Sequence, residues 1–148
     1  MKLPAGLRGC RHVVLDTMFF IYLFEDTPGY ADVCARVIQE LEAGTFSGVI
    51  TPVTAAEVLV KPIRANRLDL ADRYRGILRS FPNTVCATIS VETGSLAGAL
   101  RAKHGLPLPD MLQAAVAMQF PAPALITNDK DLRRLTEVKV LLMDNFRK

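Results

Sequence analysis

Four acidic side chains stand where an apolar strand gives way to a helix: Asp16 after HVVL, Glu57 after GVITPVTAA, Asp110 within LPLPDMLQAAVA, and Asp129 within ALITNDKDL. In a sheet of parallel strands such junctions lie along one edge. Carboxylates gathered there repel one another unless a cation stands between them. An all-oxygen donor set suits Mg²⁺ or Mn²⁺, and a site of that kind is built for metal-assisted chemistry on a phosphate.

Each acid also has a purely structural reading. Asp is a favoured N-cap, and an acid at a helix N-terminus is stabilised by the dipole. Asp16, Asp110 and Asp129 fit that role one by one, and Glu57 follows Thr54 at capping-box spacing. The joint pattern is harder to explain by caps, which occur at either edge of a sheet. Asp26 lacks the placement of these four, and Asp131 reads as a solvated turn residue or an auxiliary ligand.

The elements that must position these acids follow from apolar patterning. Val13 to Leu15 reads as a strand core, Thr17 to Phe24 as a helix apolar nearly all round, and Glu25 to Gly29 as a turn. Tyr30 to Ala43 reads as an amphipathic helix stopped by Gly44, and Ser47 to Thr51 as a strand closed by Pro52. Thr54 is expected to open a helix through Val60 that Pro62 limits. Leu68 to Phe81 follows as a helix with Leu70, Tyr74, Ile77, Leu78 and Phe81 inward, then a strand over Thr84 to Ile89. Ser90 caps a helix to His104, with Gly105 as its stop. Asp110 to Phe120 is a helix, Ala124 to Thr127 a strand, Leu132 to Leu135 a short helix, and Val138 to Met143 the last strand. Alternating strands and helices predict a single α/β domain over residues 1–148, with its core over about 12–143. Its fold is a parallel twisted sheet of about five strands with helices on both faces.

Composition narrows the chemistry. The 148 residues carry three cysteines, Cys10, Cys34 and Cys86, with no CxxC pair, and two histidines, His12 and His104, in no common motif. Disulfide frameworks, thiolate zinc sites and His-based nucleophile relays are therefore disfavoured, and a reducing, cytoplasmic setting is expected. The apolar run from Val13 to Phe24 is short and interrupted by Asp16, so no membrane span or signal segment is expected. Half the residues are hydrophobic, which leaves room for a protein-binding surface.

Taken together, VVLDTMFFIYLFE, TPVTAAEVLV, LPLPDMLQAAVA and LITNDKDL resemble, in order and spacing, the four motifs of PIN domains. The likeness is greatest to the stand-alone VapC-type ribonuclease toxins of toxin–antitoxin modules. The resemblance spans about His12 to Met143. It implies that Asp16, Glu57, Asp110 and Asp129 are the catalytic, metal-holding acids, with Thr17, Thr127 and Asn128 in support. Asp16 and Asp110 would be direct ligands; Glu57 and Asp129 would position ions or water. The implied reaction is Mg²⁺- or Mn²⁺-dependent hydrolysis of RNA to a 5′-phosphate product. Met18 and Leu132 depart from the family pattern, and both changes are apolar and peripheral. The resemblance further implies a homodimer and an inhibitory antitoxin. A nuclease of RNA processing or quality control, or a catalytically silent PIN-fold binding module, are the competing roles. A haloacid-dehalogenase-type phosphatase would want a second Asp where Met18 stands, and a receiver domain would want a late Lys motif.

Basic charge is concentrated between Lys61 and Arg79, where six basic residues face two acidic ones, a local +4 in a chain of net +3. Such a run is either a solvated helix face or a phosphate-contacting rim beside the acids, with Lys61, Arg64, Arg67, Arg73 and Arg75 as its candidates. Arg133 and Arg134 are further candidates for backbone contact.

Overall fold

A computed structural model describes residues 5–7 and 9–147; the remaining positions of the expected 1–148 domain lie outside the described residues. The elements run β1 (His12–Leu15), α1 (Thr17–Phe24), α2 (Ala31–Glu42), β2 (Ser47–Ile50), α3 (Pro52–Arg64), α4 (Leu68–Arg79), β3 (Thr84–Cys86), α5 (Val91–His104), α6 (Leu108–Met118), β4 (Ala124–Thr127) and β5 (Lys139–Leu142). Short 3₁₀ turns occupy Ala5–Leu7, Lys130–Arg134 and Met143–Phe146.

Five strands form one sheet in the order β3-β2-β1-β4-β5, every pair parallel. The strands are short, and alternation along the buried central ones, β1, β2 and β4, divides the core in two. Val13, Leu15, Ile50 and Ile126 face a layer holding Phe19, Phe20, Val37, Leu41, Val58 and Leu78 of α1 to α4. Val14, Val49 and Leu125 face the opposite layer, with Ala97, Leu100, Met111, Ala114 and Ala117 of α5 and α6. Gly48 makes the tight spacing of β2 possible: a Cβ there would lie 2.6 Å from Thr84 Oγ1 and 3.3 Å from both Leu15 and Leu41. The chain moves outward from β1 to β2 and β3, then returns to the other side of β1 as β4. That reversal puts a topological switch point between β1 and β4, where an open α/β sheet forms its crevice.

Several boundaries differ from the sequence expectation. Pro52 opens α3 rather than only closing β2, as Pro at the first helical turn does without losing a hydrogen bond, and the helix runs through Pro62 to Arg64. The helix after Pro107 starts at Leu108, ahead of Asp110, and ends at Met118. β3 stops at Cys86, β5 spans only Lys139–Leu142, and the expected short helix is a 3₁₀ turn over Lys130–Arg134. Tyr74, expected in the core, is half-buried and stacks on Phe24 with ring centroids 4.1 Å apart. The ends of α5 are as expected: Ser90 and Thr93 form a capping box, and Gly105 closes the helix at φ 69°, in the left-handed region that favours glycine.

Candidate active site

All four predicted acids reach the C-terminal edge of the sheet, and three of them cap nothing. Asp16 sits at the N-cap of α1 without a side-chain cap bond. Asp110 lies two residues into α6, past Pro107 at its N-cap. Glu57 lies inside α3, and Thr54 is also a helix-interior residue, so the capping-box reading of that pair fails. Only Asp129 caps, its Oδ1 accepting the Asp131 backbone N–H at 2.9 Å.

Asp16 is the buried member, 4% exposed. Thr127 at the end of β4 donates to its Oδ2 at 2.6 Å, and the Gln113 amide of α6 donates to its Oδ1 at 3.3 Å. Burial raises its pKa, and the Thr127 hydroxyl works against that rise. Asp110 and Asp129 are half-buried and Glu57 is exposed, so the cluster grades from core to solvent. Burial pushes Asp110 up to about 6, with the charges of Asp16, Asp129 and Glu57 acting in the same direction. Asp110 therefore senses all three of the other carboxylates. Among the described residues none of them is in an ion pair.

Below the carboxylates lies a layer of hydroxyls and one amide. Thr17 donates to Glu57 Oε1 at 2.8 Å and stands 3.3 Å from the Thr54 hydroxyl. Thr51 donates to Gln113 Oε1 at 2.6 Å, and Gln113 Nε2 donates to Thr54 at 2.7 Å. Thr127 also accepts the Asp129 backbone N–H at 3.1 Å, tying β4 to the turn that carries the fourth acid. Thr17 and Thr127 thus touch the acids directly. Asn128 points elsewhere, into a cluster with Tyr22, Tyr30 and Asp144. Its Oδ1 also accepts the Asp144 backbone N–H at 3.0 Å.

Sequence reasoning missed Gln113, Thr51, Thr54, Tyr22, Tyr30 and Asp144. The one visible signal was Gln113 itself, a lone amide inside the apolar run MLQAAVAM, because a buried amide is costly unless partnered.

The basic candidates divide. Lys61 and Arg67 line a groove of about 380 Å³ together with Glu57, Phe24, Pro62 and Tyr74. Each also holds an acid, Lys61 with Glu25 at 2.6 Å and Arg67 with Asp69 at 3.2 Å. Arg64 lies beside Val60 and Ile63 on another face of α3, Arg73 lines a separate groove with Leu23 and Phe81, and Arg75 pairs with Asp72 at 2.5 Å.

A profile of the PIN domain family matches residues 13–138. The chain belongs to the PIN domain family. No curated protein sequence matches it. Among solved structures, it is similar to a chain of a toxin–antitoxin complex from Klebsiella pneumoniae at 26% identity and TM-score 0.66, over 88% of this chain and 97% of that one. A chain of VapBC2 from Rickettsia felis, bound to a promoter DNA fragment, superposes with TM-score 0.73 at 16% identity, over 88% of this chain and 98% of that one. VapBC-1 from nontypeable Haemophilus influenzae gives TM-score 0.68 at 22% identity, covering 90% and 98%. At such identities the last two establish the shared fold. The PIN domain's neighbours are thus VapBC toxin–antitoxin complexes, the subgroup its motifs resemble.

The donor set of this PIN domain is all oxygen, carries surplus negative charge and opens to solvent on one side, which fits a hard divalent cation. Among the described residues no three His, Cys, Asp or Glu side chains are drawn together closely enough to enclose an ion as they stand. Among the described residues no helix is long and apolar enough to cross a membrane.

Proposed function

We propose that the chain is a metal-dependent endoribonuclease that hydrolyses RNA phosphodiester bonds, and that it acts as the toxin of a toxin–antitoxin pair in the cytoplasm. One observation carries this reading: four acids from four separate segments share one sheet edge, and Asp110 is pushed up to about 6 by burial and by the charges of the other three, with no basic partner among the described residues.

Asp16 and Asp110 would hold Mg²⁺ or Mn²⁺, with Glu57 and Asp129 completing the outer part of the site. The ion, when bound, supplies an acidified water and neutralises charge growing on the scissile phosphate. Asp16 is oriented by Thr127 and kept away from bulk solvent, so it is suited to holding rather than to proton transfer. Glu57 is exposed and hydrogen-bonded on one oxygen only, so its other oxygen is free to take the proton of an attacking water. Lys61 and Arg67, beside Glu57 in the same groove, are placed to meet backbone phosphates, which position RNA without reading its bases. Arg64, Arg73 and Arg75 would extend that contact over a longer strand.

A protein antitoxin and a second copy of the chain are the proposed partners. The similarity to chains of VapBC and Klebsiella toxin–antitoxin complexes supports the first. Residues 12–143 are taken as the core of a single domain.

Incubation of the purified protein with mixed RNA in Mn²⁺, Mg²⁺ or EDTA, beside the Asp16→Asn variant, tests the reading. Cleavage that requires the ion and vanishes in the variant supports it. A folded, partner-free protein that cleaves nothing points instead to a silent binding module.

A further inference from the structure

Resting on the metal-site reading above, we infer that Gln113 is the positioning residue of the site, orienting Asp16 directly and Glu57 through a one-way chain of hydroxyl donors.

Gln113 is 1% exposed and follows Asp110 by three residues on α6, so the two share a helix face. The helix that delivers one carboxylate to the edge therefore delivers the amide beneath another. The orientation of that amide is dictated by its neighbours. An ionised Asp16 only accepts, so the nitrogen must face it, and the oxygen must face Thr51. Both amide protons are then used, one on Asp16 and one on Thr54. Thr54, having accepted, has its own proton free for Thr17 at 3.3 Å. Thr17 has a single proton and spends it on Glu57 Oε1. Every donor from Gln113 outward consequently points toward a carboxylate, and no alternative arrangement satisfies all six groups.

The network does more than satisfy buried polar atoms. Asp16 is gripped on both oxygens, by Thr127 and by Gln113, which fixes the rotation of its carboxylate about Cβ–Cγ. Each oxygen retains a second lone pair for a ligand. Glu57, exposed and otherwise free to swing, is tethered by Thr17 at one oxygen. A single buried amide thereby couples the innermost and outermost acids of the edge. Residues that orient metal ligands in this manner typically cost about 10–100-fold in metal affinity when removed.

Mn²⁺ binding by the metal-free protein, followed through the loss of the free-ion paramagnetic resonance signal, is the deciding measurement. It is made on wild type, Asp16→Asn, Gln113→Leu, Thr54→Val and Thr54→Ser, each first shown to be folded in EDTA by circular dichroism. Gln113→Leu should weaken Mn²⁺ binding about 10–100-fold. Thr54→Val should weaken it less, because the Asp16 contact survives, and Thr54→Ser should restore it. If Gln113→Leu does not fold, the contrast between Thr54→Val and Thr54→Ser decides, since a purely structural threonine would alter melting without altering Mn²⁺ affinity. Wild-type affinity in the folded Gln113→Leu and Thr54→Val proteins would overturn the positioning role alone. A wild type that binds no Mn²⁺, or binds it as well as Asp16→Asn does, would instead remove the metal site beneath it.

Discussion

Two neighbouring residues at the end of β4 serve opposite electrostatic regimes. Thr127 turns toward Asp16 and the acidic edge, whereas Asn128 turns toward Tyr22, Tyr30 and Asp144. In the second cluster the carboxylate is settled by the chain itself. Asp144 accepts from Tyr30 at 2.6 Å and from Asn128 at 3.2 Å, and Lys130 and Arg147 stand nearby. Those hydrogen bonds hold Asp144 below the usual carboxylate range. Along the acidic edge the shift has the other sign: burial raises Asp16, and burial with like charge pushes Asp110 up to about 6. One region is internally compensated and reads as structural. Among the described residues the carboxylates of the other region have no ion-pair partner, and it is the region proposed above as the metal site.

The largest expected difference between the two regions is in activity. Asp16→Asn and Asp110→Asn should each abolish metal-dependent RNA cleavage while the protein stays folded, measured by product release in Mn²⁺. Residual cleavage near the wild-type rate would remove that residue as a ligand. Asn128→Ala strikes the compensated cluster and should behave the other way. It should cost about 1 kcal/mol of stability in urea unfolding, because three half-buried partners lose their bonds, and lower cleavage far less than either Asp variant. Loss of cleavage matching Asp16→Asn would mean that the two clusters act as one.

Smaller effects are expected at the rim. Lys61→Ala with Arg67→Ala should weaken RNA binding and reduce the slope of log affinity against log salt by about 1–2. Arg73→Ala with Arg75→Ala should reduce it less, since Arg75 is already paired with Asp72 and Arg73 faces a different groove. Equal effects would place the RNA path along α4 instead. The smallest change is expected at Cys34, whose thiol is buried and pushed up to about 11. Cys34→Ala should leave cleavage rates unchanged.

Much of the fold could be read because its signals were local. HVVL runs between Arg11 and Asp16 and ALIT between Pro123 and Asn128, each an apolar run with a polar residue or a proline at either end, and Ser90 and Gly105 bracket α5 with cap chemistry that the structure repeats. The errors arose where one residue admits two readings. Pro52 closes a strand on its sequence pattern, yet proline serves equally as the first residue of a helix, and in the structure it does so, which puts Glu57 inside α3. The four acids were legible through their place after apolar runs. Their supports were not, because Thr51, Thr54 and Gln113 are joined only by tertiary contacts between α3 and α6. Nothing in their spacing distinguishes a buried threonine in a polar network from a surface one.

The surplus charge of the edge is tested most directly by thermal melting of wild type and Asp110→Asn, each with EDTA and with Mn²⁺. The sign follows from linkage. An acid raised in the folded state, from 3.8 to about 6 for Asp110, binds its proton more tightly when folded. Its stabilising contribution is present at low pH and is lost as pH rises through that window. At pH 7.5 without metal, Asp110→Asn should therefore melt above wild type, by about 2–4 °C for each kcal/mol of repulsion relieved. Mn²⁺ should raise the wild-type melting temperature and leave the variant nearly unmoved. A metal-free variant that melts below wild type, together with no Mn²⁺ shift in wild type, would contradict a cation-binding edge.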